Sequence, residues 1–270
     1  MSELLEKIFK TRKPIIGMIH LKPLPYSPLY KGSFEEVIES AIKDAKALVE
    51  ANIDGLLIEN YGDKPYFKNE VELHTIASMS IVVWEIKKNF NVPIGINVLR
   101  TASKVAMAIA SITGASFIRV NVHAYALITD QGIIEGNAAE LLRYKKQINS
   151  NVKIFADVLS KHAFPLFNYD IQRVARDTYF RALADALVVT GPETGKPLSL
   201  DDLIRIKEAT NAPVFAGSGV NIDNVETILK HADGAIVGTY FKKNGIIDNE
   251  VDKERVLKFM KLVDKIRQNI

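Results

Sequence analysis

The chain of 270 residues contains no cysteine and a single tryptophan. Without thiols it cannot form disulfides, bind zinc or an iron–sulfur cluster through sulfur, or use a cysteine nucleophile. A reducing compartment fits this composition, and a cytoplasmic location is expected. An excess of either charge is also missing. The 35 Lys+Arg stand against 32 Asp+Glu, for a formal net charge of +3. That balance is too even for a dedicated nucleic-acid binder, whose basic residues cluster on one face. No stretch of about 20 apolar residues occurs, so no transmembrane span is expected. Residues 1–13 mix acids and bases among Leu4, Leu5, Ile8 and Phe9. They do not read as a secretory signal. Their spacing predicts a short amphipathic N-terminal helix packed on the body of the protein. Weak peripheral association with a membrane surface is its alternative use.

What is present is a globular composition, 47% hydrophobic and 25% charged, with a regular alternation of two periodicities. Short runs rich in Ile and Val predict strands at 15–20, 55–59, 94–97, 117–121, 153–157, 186–190, 214–216 and 234–237. Such runs suit strands covered on both faces. Helix-period segments follow each. The first has Phe34, Val37, Ile38, Ala41, Ile42, Ala45, Leu48 and Val49 on one stripe, opened by the capping pair Ser33 and Glu36. Ser199, Asn221 and Asp252 mark three later helix starts. Eight such units predict a parallel sheet with right-handed crossovers, closed at this length into one (β/α)₈ TIM barrel spanning residues 1–270. An open doubly wound sheet is weakened by the lack of a G-x-G-x-x-G turn after the first strand.

The long connections follow strands one, two and four, at 21–32, 60–70 and about 122–136, whereas helix-to-strand connections are short. In a barrel the long loops all emerge at the C-terminal face, where ligands bind. Two glycine-bearing turns open there: Gly217, Ser218 and Gly219 after strand seven, and Gly238 with Thr239 after strand eight. Glycines let backbone N–H groups approach an anion closely, and this is the usual barrel position for a phosphate. Relief of turn strain is the plainer reading.

Strand parity supplies the rest of the mouth. Arg119, Asn121 and His123 share one parity in strand four, while Ile118, Val120 and Val122 share the other. The polar set is therefore expected to point inward, together with His20, Glu59, Asn97 and Asp157. Thr190 and Ser218 add hydroxyls. Asp157 or Glu59 would serve as general base, and His20 or His123 as acid or base. Arg119, Asn97 and Asn121 would stabilise negative charge. A structural salt bridge from Arg119 to Glu59 or Asp157 is the competing reading. The carboxylates Glu59 and Asp157 could instead hold a divalent metal, although no H-E-x-x-H motif supports one. Lys161 and His162 follow strand five. Lys161 is read as an anion contact or a solvated side chain, with Schiff-base chemistry as the sharper alternative. The turn Thr129-Asp130-Gln131-Gly132 is a candidate lid that brings Asp130 and Gln131 to the site. Gly191 lies on the rim beside Thr190, and three prolines stiffen the loop after strand one.

Several ordered runs resemble one family. They are Gly17-Met18-Ile19-His20-Leu21, Glu59-Asn60-Tyr61-Gly62-Asp63, Asn97-Val98-Leu99-Arg100, Phe117-Ile118-Arg119-Val120-Asn121-Val122-His123, Thr129-Asp130-Gln131-Gly132, Lys161-His162-Ala163, Val189-Thr190-Gly191-Pro192 and Gly217-Ser218-Gly219-Val220. Over nearly the whole chain these are similar to the BtpA/SgcQ family, in which phenylalanine is commoner where this chain has Tyr61. The resemblance implies a TIM barrel of the ribulose-phosphate-binding type. It also implies a link to photosystem I biogenesis in some members and to sugar metabolism in others, and it carries no residue roles of its own. Together the residues and the resemblance predict an enzyme for a small phosphorylated metabolite, working as isomerase, epimerase or lyase, and forming a homo-oligomer. The alternatives are a non-enzymatic assembly factor for photosystem I or another membrane complex, and a metal-dependent hydrolase.

Overall fold

A computed structural model describes residues 3–166 and 168–269. Eight parallel strands close into a barrel: β1 (Ile15–His20), β2 (Gly55–Glu59), β3 (Ile94–Asn97), β4 (Phe117–Val120), β7 (Lys153–Asp157), β9 (Ala186–Val189), β10 (Val214–Ala216) and β11 (Gly234–Val237). Their order around the barrel is β1-β2-β3-β4-β7-β9-β10-β11, with β11 pairing back to β1 through Ile15↔Ala235 and Gly17↔Val237. The outer ring holds α2 (Phe34–Val49), α3 (Leu73–Asn89), α4 (Ser103–Thr113), α5 (Ala138–Gln147), α6 (Ile171–Arg176), α7 (Leu200–Ala209), α8 (Val225–His231) and α9 (Lys253–Asn269). The chain is thus a (β/α)₈ barrel, as its alternating pattern predicts. Six strands have the expected bounds; β4 and β9 each stop one residue earlier.

Capping chemistry sets the helix starts. Ser33 Oγ accepts from the Glu36 N–H at 3.2 Å, Ser199 Oγ from Asp202 at 3.1 Å, and Asp252 Oδ1 from Glu254 at 3.1 Å. Asn221 does not open a helix. Its Oδ1 accepts from the N–H groups of Asp223 and Asn224, a local turn that delays α8 to Val225.

Two packing layers result. Ile19, Ile58, Ile96, Ile118, Ile154 and Val214 face the helices. The opposite parity fills the barrel with Ile16, Met18, Leu57, Phe117, Phe155, Val188, Phe215 and Ile236. Helix α1 (Glu3–Phe9) closes the N-terminal end of that interior. Phe9 places its ring 5.9 Å from Phe117, 6.5 Å from Phe155 and 6.3 Å from Phe215, with Leu5 buried beside it. The N-terminal helix is therefore present but shorter than residues 1–13, of which Met1 and Ser2 lie outside the described residues. Its apolar side packs into the barrel interior. No helix among the described residues is long and apolar enough to cross a membrane.

The stretch 122–136 is more ordered than a loop. It forms a hairpin of β5 (Ala126–Thr129) and β6 (Gly132–Glu135), extended by β8 (Ala163–Pro165) into a three-stranded antiparallel sheet in the order β6-β5-β8. Leu127 and Ile134 bury one face against Val122. The turn is fixed by Thr129, whose Oγ1 accepts from Gln131 N–H at 3.2 Å and donates to Gly132 O at 2.9 Å.

Candidate active site

The barrel mouth is organised around two buried carboxylates with different partners. Asp157, ending β7, receives Arg119 Nε at 2.9 Å and Nη2 at 3.1 Å, and Asn121 Nδ2 at 3.0 Å. All three residues are buried. Both oxygens of Asp157 are thereby engaged with a fixed cation and an amide. This makes Asp157 and Arg119 a bidentate pair that shapes the mouth, and it leaves Asp157 poorly placed to accept a further proton or ligate a metal. Glu59, ending β2, accepts from Asn97 Nδ2 at 2.6 Å through one oxygen. Its other oxygen stands 3.9 Å from His20 Nε2. Among the described residues, no three histidine or carboxylate side chains converge as a metal site.

His20 ends β1 with its ring tilted against Tyr61 at 4.9 Å. Burial, reinforced by the cations of Lys242, Lys161, Lys64 and Arg119, pushes its pKa well below the usual imidazole range. The ring is neutral at physiological pH, and its buried Nδ1 has no hydrogen-bond partner among the described residues.

Lys161 enters this mouth from the segment after β7. Arg100 fixes the local backbone, donating to the Lys161 carbonyl and to Ser160 Oγ, the latter at 3.0 Å. The Lys161 ammonium makes no hydrogen bond to a described residue. Burial first, and the Arg119 and Arg100 guanidinium groups next, push its pKa down to about 8, while Glu59 and Asp157 pull the other way. A lysine depressed in this way is a usable base or nucleophile near neutral pH.

Lys161 also stands where two cavities meet, since it and Thr194 line both. The smaller, about 220 Å³, is bounded by Gly217, Gly219, Gly238, Thr239 and Arg255, with His20 and Arg119 at its inner side. All three of these glycines are crowded, and a Cβ on Gly217 would lie 2.4 Å from Val188 Cγ1. A Cβ on Gly238 would lie 2.8 Å from the His20 ring, and Gly219 has φ +67° with Pro197 Cα at 2.3 Å from an added Cβ. The larger cavity, about 930 Å³, is lined by Glu59, Tyr61, Tyr66, Arg100, Asp130 and Phe164 among others.

The structure thus brings His20, Glu59, Asn97, Arg119, Asn121, Asp157 and Lys161 to one mouth, with Gly217, Gly219, Gly238 and Thr239 beside it. Other expected members fall elsewhere. His123 is not in the mouth. Strand β4 ends at Val120, so the alternation that would aim His123 inward no longer applies. Its Nε2 instead meets Ala182 O at 2.9 Å, and burial lowers its pKa. Ser218 and Thr190 spend their hydroxyls on the scaffold. Ser218 Oγ accepts from Gly191 N–H and donates to Lys196 O at 3.1 Å, while Thr190 donates to Leu159 O at 2.9 Å. Gly191 accordingly serves a loop anchor. Asp130 reaches the rim of the larger cavity, whereas Gln131 does not line it and donates to Asp130 Oδ2 at 2.6 Å. His162 sits on the same rim, bonded to Thr194.

Two arginines escape sequence reasoning. Arg255 belongs to α9, where a helical pattern reads it as surface, yet its Nε donates to Tyr240 O at 2.7 Å and the side chain reaches the smaller cavity. Arg100 closes the Asn97–Arg100 run, and only the fold shows it buried with an Nε that has no partner among the described residues.

This is a (β/α)₈ barrel with a charged, two-chambered C-terminal mouth. The BtpA family model matches residues 11–265, and the chain belongs to that family. An uncharacterized protein of Pyrococcus furiosus is 49% identical over 245 residues, covering 91% of this chain and 92% of the relative. The photosystem I biogenesis protein BtpA of Synechocystis is 43% identical over 253 residues, covering 93% and 88%. Among solved structures, phosphoribosyl anthranilate isomerase from Thermus thermophilus superposes with a TM-score of 0.57 at 11% identity, covering 93% of this chain and 99% of that one.

Proposed function

We propose that the protein is an enzyme acting on a small phosphorylated metabolite by acid–base chemistry. The observation that carries this reading is the unbonded Lys161 amine beside the half-free Glu59 carboxylate and neutral His20, at the edge of a glycine-floored cavity that Arg255 enters. The backbone at Gly219 and Gly238–Thr239 and the Arg255 guanidinium would hold the phosphate. Lys161 or Glu59 would take a proton from carbon, and neutral His20 would relay one. Arg119, held by Asp157 and lining the smaller cavity, would turn its guanidinium toward developing negative charge. Isomerase, epimerase and lyase steps all use these parts. The name of the superposing isomerase, which includes a phosphoribosyl group, supports the reading as a likeness of fold.

A thermal-shift screen against phosphorylated sugars and nucleotides tests it. A ligand at 100 times its Kd adds about 2.7 kcal/mol. Arg255→Met should abolish the shift, and Lys161→Met should keep binding but lose turnover. Absence of a shift with every phosphorylated compound would reject the proposal.

The second reading is an assembly role, favoured by the name of the Synechocystis relative. Its contact would be the loop after β1, where Tyr26 and Leu29 are exposed. A Lys161→Met protein that still fulfils its cellular role would favour it. The metal-dependent hydrolase reading loses Asp157 as a ligand to Arg119.

A further inference from the structure

The two chambers of the mouth differ in chemistry as well as size. The smaller, about 220 Å³, suits a phosphate and the carbon that bears it, whereas the larger, about 930 Å³, has far more room than a sugar chain needs. Its wall is mostly carbon, from Tyr61, Tyr66, Leu99, Ile128 and Phe164. Charged groups interrupt it: Glu59, Lys64, Arg100, Asp130, Lys161 and Glu193 also line the cavity, and the buried Arg100 Nε has no partner among the described residues.

The three-stranded sheet is the unusual part of that wall. A solvated cover would be apolar beneath and polar above. Strand β5 is apolar on both faces. Leu127 is buried beneath it, while Ile128 pairs across the sheet with Phe164 and lines the cavity with it. Phe164 is 73% exposed and Ile128 42%. Adjoining apolar side chains held open on a ligand cavity mark a surface for another apolar group to cover. Aromatic rings favour such contacts through both area and stacking.

We propose that the substrate is a phosphate monoester with a bulky planar ring at the end remote from the phosphate, of nucleoside monophosphate type. The ring lies against Phe164 and Ile128, the polyhydroxyl linker passes Lys161 and Glu59, and the phosphate sits by Arg255. This rests on the phosphate assignment made above and adds the class of group at the other end.

Calorimetric titration of the full chain with inorganic phosphate, ribose 5-phosphate, AMP and UMP tests it. At least one nucleotide should bind about tenfold tighter than ribose 5-phosphate, a difference of ~1.4 kcal/mol. The exposed-site double variant Ile128→Ser/Phe164→Ser should erase that advantage and leave ribose 5-phosphate affinity unchanged. Arg255→Met should weaken all the phosphate esters together. If ribose 5-phosphate binds as tightly as both nucleotides, the ring claim is wrong while the phosphate assignment stands. If nothing phosphorylated binds, both fall. If the double variant alters only the oligomeric state, the apolar pair is a protein contact and the ring claim is overturned.

Discussion

Lys161 is costly to keep charged where it stands. Its pKa falls from 10.5 to about 8 in the folded protein, so between those values the unfolded chain binds more protons than the native one. Stability should therefore rise with pH from about 8 to about 10.5 and carry a constant penalty below that window. Lys161→Met is expected to flatten this slope in urea melts and to raise stability at pH 7, at the expense of activity. Amine labelling of Lys161 should rise with a midpoint near pH 8; a midpoint near 10.5 would show that the amine is solvated. Asp157 behaves differently. Asp157→Asn leaves the Arg119 charge buried without its counterion, and breaking such a pair costs about 3–5 kcal/mol. Denaturant midpoints should show that loss. If the variant instead keeps wild-type stability while losing turnover, Asp157 takes part in proton transfer rather than in shaping the mouth.

At the scale of elements, the limits of sequence reading coincide with the limits of regular periodicity. Parity along β1, β2, β3 and β7 places His20, Glu59, Asn97 and Asp157 at the inner face, because a strand that stays in a ladder cannot rotate a side chain to the other side. His123 lies past the last paired residue of its strand, so parity is silent there. The hairpin escapes notice for a related reason: Ala126–Thr129 and Gly132–Glu135 are each four residues long and carry a large apolar residue on each face, so neither alternation nor length marks them. Ser218 and Thr190 show another limit, because a hydroxyl at a strand end reads the same whether it meets a ligand or a loop carbonyl. Helix α1 yields a clean prediction. Phe9→Ala removes the ring that meets Phe117, Phe155 and Phe215, and such core truncations cost about 3–5 kcal/mol. The cavity lies at the opposite end from the mouth, so calorimetric affinity for a phosphate ester should be unchanged at temperatures where the variant is folded.

For the molecule as a whole, the buried histidines His20 and His123 make the fold acid-sensitive. Burial lowers both folded-state pKa values from 6.5. Folding is thus favoured by deprotonated rings, a contribution complete above about pH 6.5 and lost as pH falls towards the depressed values. Chemical denaturation at pH 7.5 and 5.5 should show the drop, and His123→Gln, which lies away from the mouth, should reduce it while sparing ligand binding. The eightfold alternation that makes the barrel legible says nothing about which distant residues meet at its rim. Arg255 reaches the smaller chamber from the final helix, and only closure of the ring brings them together.

The ring of Phe9 also dictates an order of events. Its three aromatic neighbours lie on strands whose last member begins at Val214. Helix α1 therefore cannot settle until the segment that carries Phe215 has left the ribosome. Until then Leu4, Leu5 and Phe9 are open to chaperones, so that this helix is among the last elements to take its place.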